Sequence, residues 1–207
     1  MAEIAYALDE LCADGIALKT NACGTYLGDA RFDPIFDELN RRRAVVFIHP
    51  TSPACWEQCA MGYPRPMLEF PFETARAVTN LIFSGTLERC PEVRIIVPHN
   101  GGVLPFLAGR IAQFGRLHQQ RAPQGAVGYL RRLYYDTAIS TTGHTLSSLL
   151  ELVDRSQIVY GSDWPWNPSV DYFNQELALS AFFSDADRKG IYRDNALSLL
   201  PRLATLV

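Results

Sequence analysis

The chain has 207 residues, a length that suits one domain or part of a larger one. Hydrophobic residues make up 48% of it and charged residues 20%, which is typical of a globular protein. The formal net charge of −3 provides no basic face, and the sequence has no apolar run of about 18 residues, so we expect neither nucleic acid nor a membrane as a partner.

The predicted elements alternate between strand and helix. An amphipathic pattern predicts a first helix over residues 1–15. Short apolar runs without polar alternation then predict buried parallel strands over 15–21, 44–50, 93–100, 133–138 and 158–165. Helical patterns occupy residues 33–43, 72–90, 104–121, 145–155, 171–182 and 185–203. This alternation predicts an α/β fold.

Five cysteines occur in the chain, and their spacing fits no disulfide framework. An odd count of this kind is typical of a reducing compartment, so we expect a cytoplasmic protein with free thiols. Cys55 and Cys59 are four residues apart, but no second pair accompanies them, and structural zinc usually needs four such ligands.

Side chains that bind metals lie at the ends of predicted strands. His49, His99 and Asp163 each end one strand, and Asp136 lies near the end of another. In a (β/α)8 barrel the functional groups converge on the carboxyl ends of the strands, whereas an open doubly wound sheet gathers them only at its switch point. The first predicted strand is followed by no glycine-rich phosphate loop. The pattern therefore favours a barrel.

Asp163 follows a buried apolar run, where a carboxylate is costly to desolvate unless something pairs with it. A divalent metal would neutralise Asp163 and take an imidazole nitrogen from His49, with His99 as a further candidate ligand. Trp164 directly follows Asp163 and is a candidate wall of the substrate pocket. His144 lies near a helix start on the same side of the barrel and is a candidate substrate contact. For Asp136 we predict a structural hydrogen bond.

Three segments carry a resemblance to a known family. "VVFIHP", "LEFPFETARAVTNLIFSGTLERCPEVRIIVPHNGG" and "IVYGSDWPW" resemble the amidohydrolase-related family, in the branch of aminocarboxymuconate-semialdehyde, gamma-resorcylate and 6-methylsalicylate decarboxylases. The resemblance implies a metal-dependent (β/α)8 TIM barrel. It also implies that His49 and Asp163 bind the metal, and that His99 beside them is a ligand or an acid/base group.

The chain departs from the family pattern at its start. The family opens with a strand that bears two metal-directed histidines, but no histidine precedes His49 in this sequence. By the same matching, residues 15–21 would be the fourth barrel strand. We therefore expect one domain over residues 1–207 that is the C-terminal portion of a family member, with about strands four to eight present. The open edges of such a sheet predict a homo-oligomer.

The resemblance implies a carboxy-lyase that releases carbon dioxide from a small aromatic or muconate-type carboxylic acid, with 6-methylsalicylate as one candidate. Zinc or manganese would be the cofactor, and His99 or Asp163 would supply the proton. Two alternatives stay open. The same site residues suit a metal-dependent hydrolase of a small ester, lactone or amide, and the missing histidine pair suits an inactive remnant.

Overall fold

A computed structural model of the protein describes residues 1–205. Its main sheet has five strands, all paired in parallel, in the order β1-β4-β5-β6-β7. These strands are β1 (Gly15–Lys19), β4 (Val45–His49), β5 (Arg94–Val97), β6 (Tyr134–Asp136) and β7 (Ile158–Val159). A separate antiparallel hairpin consists of β2 (Asn21–Ala22) and β3 (Thr25–Tyr26). The predicted α/β class is confirmed.

Helices follow the strands of the main sheet, and one short helix, α1, precedes the first strand. They are α1 (Ala2–Ala5), α2 (Asp33–Arg41), α3 (Trp56–Cys59), α4 (Arg65–Phe83), α5 (Thr86–Arg89), α6 (Leu104–Gly115), α7 (Gly125–Leu130), α8 (Gly143–Leu150), α9 (Val170–Leu179), α10 (Asp185–Lys189) and α11 (Asn195–Leu199). None of the helices in residues 1–205 is long and apolar enough to cross a membrane.

The five parallel strands pair in the order in which they follow one another along the chain. A doubly wound sheet reverses its strand order at a switch point. The described part of the chain has no such reversal, and its order is that of successive barrel strands. Neighbouring strand ends therefore lie side by side, and the register places Lys19 opposite His49.

The two faces of the sheet have different surroundings, as β4 illustrates. Val46 and Ile48 are fully buried in the hydrophobic core, whereas Phe47 and His49 line a cavity. Successive side chains of a strand point to opposite faces, so the helices cover one face of β4 and the cavity lies on the other. The cavity on this second face gives His49 access to a ligand.

All five predicted strands extend beyond the observed carboxyl ends, and in two of them the difference is three residues or more. The strand predicted over residues 93–100 ends at Val97, where Pro98 follows without an N–H for the ladder. The strand predicted over residues 158–165 ends at Val159, because the backbone N–H of Tyr160 leaves the sheet and donates to the carbonyl of Ile191. Asp163 therefore lies in the loop beyond β7 and not at its last position.

Several helices begin or break at residues other than those predicted. Helix α4 begins at Arg65, well before the predicted residue 72, with Pro66 in its first turn and Pro71 inside it. The helix predicted over residues 185–203 is divided into α10, a π-helical turn and α11. The first predicted helix likewise consists of α1 and a π-helical turn that ends at Glu10.

The hairpin is attached to the main body by a buried carboxylate. Glu73 on α4 is fully buried, and it accepts hydrogen bonds from Asn21 Nδ2 at 3.0 Å and from the Tyr26 hydroxyl at 2.8 Å. Arg76, one turn further along α4, donates to the same carboxylate at 2.6 Å. Charge-assisted hydrogen bonds of this kind satisfy a carboxylate that burial would otherwise penalise.

Candidate active site

A cavity of about 450 Å³ lies at the carboxyl end of the sheet, and all three predicted ligands line it. His49 is the last residue of β4, His99 lies just beyond β5, and Asp163 lies in the loop after β7. The structure thus brings together three side chains that come from three separate strand–helix connections.

The ring of His49 is held by the residue that follows it. Nδ1 lies 2.9 Å from the carbonyl oxygen of Pro50. A carbonyl oxygen can only accept, so Nδ1 must carry the proton in this contact, and Nε2 keeps its lone pair. Metal-binding histidines commonly use one ring nitrogen for such a carbonyl and the other for the metal. The tautomer of His49 therefore suits a ligand.

His99 lies in a turn with an unusual backbone. Four consecutive residues from His99 to Gly102 have positive φ angles, which are 56°, 52°, 81° and 61°. A Cβ on Gly102 would lie 2.6 Å from the carbonyl oxygen of Pro71, so this turn packs directly against α4. Non-glycine residues rarely adopt this conformation unless the surroundings enforce it, and such residues cluster at functional sites. Gly101 and Gly102 thus belong to a tight strand-to-helix turn.

The imidazole of His99 faces the carboxylate of Asp163. Nε2 lies 3.8 Å from Oδ1, and the two side chains are only 14% and 18% exposed. Burial lowers the pKa of His99, and nearby His49 lowers this pKa further. The Asp163 carboxylate raises it, but by less than burial lowers it. A neutral imidazole at neutral pH can act as a base or as a metal ligand.

Asp136, the last residue of β6, is hydrogen-bonded to the turn that carries His99. Its side chain is 4% exposed, and Oδ1 accepts hydrogen bonds from the backbone N–H of His99 at 2.8 Å and of Ala138 at 3.0 Å. The predicted structural hydrogen bond is confirmed. The pKa of Asp136 is raised to about 7, mainly by burial. The two backbone donors lower this pKa, and the charge of Asp163 raises it.

Sequence reasoning missed Gly161, which closes the site beside Asp136. A Cβ at this position would lie 2.8 Å from Cγ of Asp136, so only glycine leaves room for the buried carboxyl group. The motif "YGSDWP" contains this glycine, but its purpose depends on β6, which is distant in the sequence.

The remaining predicted site residues lie in different places. Trp164 lines the cavity and is 71% exposed, and Trp166, which we did not predict, also lines it and is 82% exposed. His144 is exposed near the start of α8 and is not among the described residues that line the cavity. Its role as a substrate contact stays a prediction.

The site fits a divalent metal in donor chemistry but not in donor number. Imidazole nitrogen and carboxylate oxygen are common ligands of transition metals, and zinc is usually four-coordinate. Within residues 1–205, however, no group of three or more His, Cys, Asp or Glu side chains is placed to hold a metal ion. The ring centroids of His49 and His99 are 6.4 Å apart.

Comparison with known proteins adds a family and several relatives. A family model described as amidohydrolase matches residues 1–202. A decarboxylase of Penicillium terrestre, macB, is 39% identical over 213 residues, which cover 97% of this chain and 63% of that protein. The 6-methylsalicylic acid decarboxylase of Penicillium expansum is 38% identical over 207 residues, which cover 97% and 64%. This chain therefore spans less than two thirds of the length of these relatives.

Solved structures share the fold. The crystal structure of an amidohydrolase II has a TM-score of 0.89 at 29% identity, covering 97% of this chain and 65% of that one. A dihydroxybenzoic acid decarboxylase from Polaromonas sp. JS666, solved with manganese and the inhibitor 2-nitroresorcinol, has a TM-score of 0.84 and covers 97% and 64%. At 23% identity, this second likeness shows the fold alone.

Proposed function

The chain belongs to the amidohydrolase family, and we propose that it carries part of the active site of a metal-dependent, non-oxidative decarboxylase. The substrate would be a small aromatic or muconate-type carboxylic acid, with 6-methylsalicylate as the first candidate. One observation carries the proposal: His49, His99 and Asp163 line a single cavity at the carboxyl end of the sheet. That edge is where enzymes with this strand order carry out their chemistry.

We assign the metal to His49 and Asp163, with manganese or zinc as the ion. The free Nε2 of His49 and the carboxylate of Asp163 would hold it. When bound, the metal acts as a Lewis acid that offsets developing negative charge on the substrate. Manganese is the ion in the structure of the dihydroxybenzoic acid decarboxylase, which has the same fold.

His99 is the first candidate for the proton transfer that decarboxylation needs, because a proton must replace carbon dioxide on the carbon atom. Burial makes the protonated ring of His99 a stronger acid than an exposed imidazole, so it releases its proton readily. The Asp163 carboxylate, 3.8 Å from Nε2, favours the charged form in which that proton is available. Asp163 is the second candidate for the same step.

We further propose that the five-stranded sheet corresponds to strands four to eight of an eight-stranded barrel. The sequential strand order supports this correspondence. So does the coverage of the relatives, since 97% of this chain matches 63% of the Penicillium terrestre protein. In this arrangement the remaining metal ligands would come from strands one to three.

The two alternative functions, a metal-dependent hydrolase and an inactive remnant, involve the same cavity residues. A hydrolase would use His99 or Asp163 as the base for a bound water, but the relatives described above are decarboxylases, which favours the lyase. An inactive remnant would keep the cavity without binding a metal. Metal binding therefore separates the remnant from both enzymes.

Isothermal titration with manganese and with zinc tests the metal assignment. We expect binding no tighter than micromolar, because few ligands are present, and we expect His49→Ala and Asp163→Ala each to abolish it. His118→Ala is the matched control, since His118 is exposed after α6 and far along the chain from the cavity residues. Nanomolar binding that survives both cavity substitutions would refute the assignment, and no binding by the wild type would favour the remnant.

Turnover is tested on a fusion of this chain to the first three strand–helix units of a related decarboxylase. We expect the fusion to release carbon dioxide from 6-methylsalicylate with manganese or zinc, and its Asp163→Ala variant and the chain alone to show little turnover. Ester or lactone hydrolysis without carbon dioxide release would favour the hydrolase. Equal turnover by the chain alone would contradict the proposed correspondence with strands four to eight.

A further inference from the structure

One turn beside the candidate site has a backbone conformation that its residue type disfavours. The turn runs from Thr137 to Ser140, directly after β6, and the N–H of Ser140 donates to the carbonyl of Thr137 at 3.1 Å. Ile139 is the third residue of the turn and has a φ of 50°. A positive φ at this position favours glycine or asparagine, and a β-branched residue there is a rare outlier. Among the non-glycine residues of 1–205 with a positive φ, Ile139 is the only β-branched one.

Hydrogen bonds fix the turn on both sides of Ile139. On one side, the N–H of Ala138 donates to Oδ1 of Asp136, the same oxygen that accepts the N–H of His99. On the other side, the carbonyl of the residue after Ile139 accepts a hydrogen bond from the side chain of Asn100. Surroundings that hold both neighbours can keep a residue in a conformation that it would not adopt by itself. The fold therefore imposes this conformation and ties the turn to the one that carries His99.

The turn lies at the rim of the cavity that holds the candidate site. Asp136 and Ala138 line this cavity together with His99 and Asp163, and Ala138 is buried. Ile139 comes next along the chain and is 41% exposed. An exposed side chain directly after a residue of the cavity wall stands at the edge of that wall. β6 lies between β5 and β7 in the sheet, so this turn does not follow an edge strand.

We propose that Ile139 contacts the apolar part of the substrate at the rim of this cavity and selects acids that carry an alkyl group next to the carboxylate. The inference rests on the proposed decarboxylase function and agrees with its first candidate. In 6-methylsalicylate, the methyl group lies on the ring carbon next to the one that bears the carboxylate. With that carboxylate at His49 and Asp163, the neighbouring methyl group would face the turn that is tied to His99.

The need for a contact of this kind explains why an isoleucine occupies the position. Glycine would adopt the same φ without strain, and the Ile139 side chain is too exposed to add much to the core. Residues that are held in sparsely populated conformations cluster at sites that bind ligands. A branched aliphatic side chain has no polar atom, so it suits an alkyl group or a ring face and not a carboxylate.

The test compares 6-methylsalicylate with salicylate by isothermal titration on the chain as it is, with excess manganese. Both acids have the same carboxylate and hydroxyl groups, so the ratio of their affinities reports on the methyl group alone. We expect the wild type to bind 6-methylsalicylate about two- to fourfold more tightly, as burial of one methyl group predicts.

Ile139→Gly should bring this ratio close to one and leave the affinity for salicylate unchanged. The same variant should unfold at a temperature about 2–4 °C higher, because glycine relieves the strain of the turn. A residue with a purely structural role would not change the ratio. Ile139→Val should keep most of the methyl preference and the wild-type unfolding temperature, because valine is also β-branched and aliphatic.

Cys12→Gly is the matched control. Cys12 has nearly the same φ, 51°, and lies before β1, at the other end of the sheet, so glycine there should also raise the unfolding temperature but change neither affinity. Equal binding of the two acids by the wild type, or no binding of either, overturns the inference. So does a methyl preference that survives Ile139→Gly, or an equal loss of both affinities in that variant.

The unfolding temperature gives a second way to reject the inference, since a lower value for Ile139→Gly would show that the turn is not strained. Failure of the proposed metal site has a different signature. Manganese would then change neither affinity, while the ratio of the two affinities would still report on Ile139.

Discussion

The backbone N–H of His99 donates a 2.8 Å hydrogen bond to Oδ1 of Asp136, which ties the turn after β5 to the last residue of β6. The same oxygen accepts a hydrogen bond from the N–H of Ala138. One buried carboxyl group thus holds a left-handed turn in place and, with it, the imidazole that faces Asp163. The position of His99 therefore depends on a neighbouring strand as well as on its own.

Asp136→Asn should change how the metal-free protein responds to pH. Burial raises the pKa of Asp136 to about 7, against about 3.9 in an unfolded chain. At pH values between these two pKa values, Asp136 keeps its proton in the folded protein but has lost it in the unfolded chain. The free energy of unfolding therefore falls as pH rises from about 4 to about 7, by at most about 4 kcal/mol. The asparagine variant should lose this dependence.

Urea unfolding at several pH values between about 4 and 7 measures this dependence for Asp136→Asn. Exposed Asp171→Asn on α9 is the control, and it should follow the wild-type curve. Parallel curves for the wild type and the Asp136 variant would contradict the prediction. The variant keeps a side-chain oxygen for the His99 N–H, so its fold should be preserved.

Gly161→Ala should destabilise the protein by about 1–3 kcal/mol, because the added methyl group would overlap the buried carboxyl group of Asp136. Gly109→Ala is the matched control. Gly109 lies inside α6 with open space around a Cβ, so alanine there should stabilise the protein by about 0.4–1 kcal/mol. Thermal unfolding of both variants should give shifts of opposite sign, and equal shifts would show that Gly161 is not a packing constraint.

Glu73→Ala should cost about 3–5 kcal/mol, because it leaves the Asn21 amide and the Tyr26 hydroxyl without their shared acceptor and removes the partner of Arg76. Glu69→Ala, one turn earlier on α4, removes a half-buried carboxylate that makes no hydrogen bond or ion pair among the described residues, so it should change stability by less than about 0.5 kcal/mol. Denaturant unfolding measures both. A loss at Glu73 no larger than at Glu69 would mean that the hairpin is held by other contacts.

Self-association should increase with concentration. In residues 1–205, β1 and β7 are the edges of the main sheet. Phe106 on α6 and Leu117 in the 3-10 turn that follows it are 84% and 89% exposed. Unpaired strand edges and apolar surface both favour contact between copies. Light scattering should therefore detect dimers or larger species, whereas a monomer at high concentration would contradict the expectation.

The sequence predicted the strands and the shared site because these depend on local patterns. Apolar runs marked the strands, and the rule that parallel strands end on one side brought His49, His99 and Asp163 together. The ends of β5 and β7 were predicted too late. β5 ends before Pro98, which has no N–H for the ladder, and after β7 Tyr160 leaves the sheet for a carbonyl of Ile191, a contact between distant segments. Gly161 was missed because its surroundings come from Asp136 on the neighbouring strand β6.

The sequential strand order also bears on how the protein is made. Each strand of the main sheet pairs with the next one to be synthesised, so contact order is low for a parallel sheet, and the sheet can grow by one strand at a time as the chain leaves the ribosome. β7 joins last, and the loop after it brings Asp163. During synthesis, His99 therefore leaves the ribosome 64 residues before its carboxylate partner Asp163.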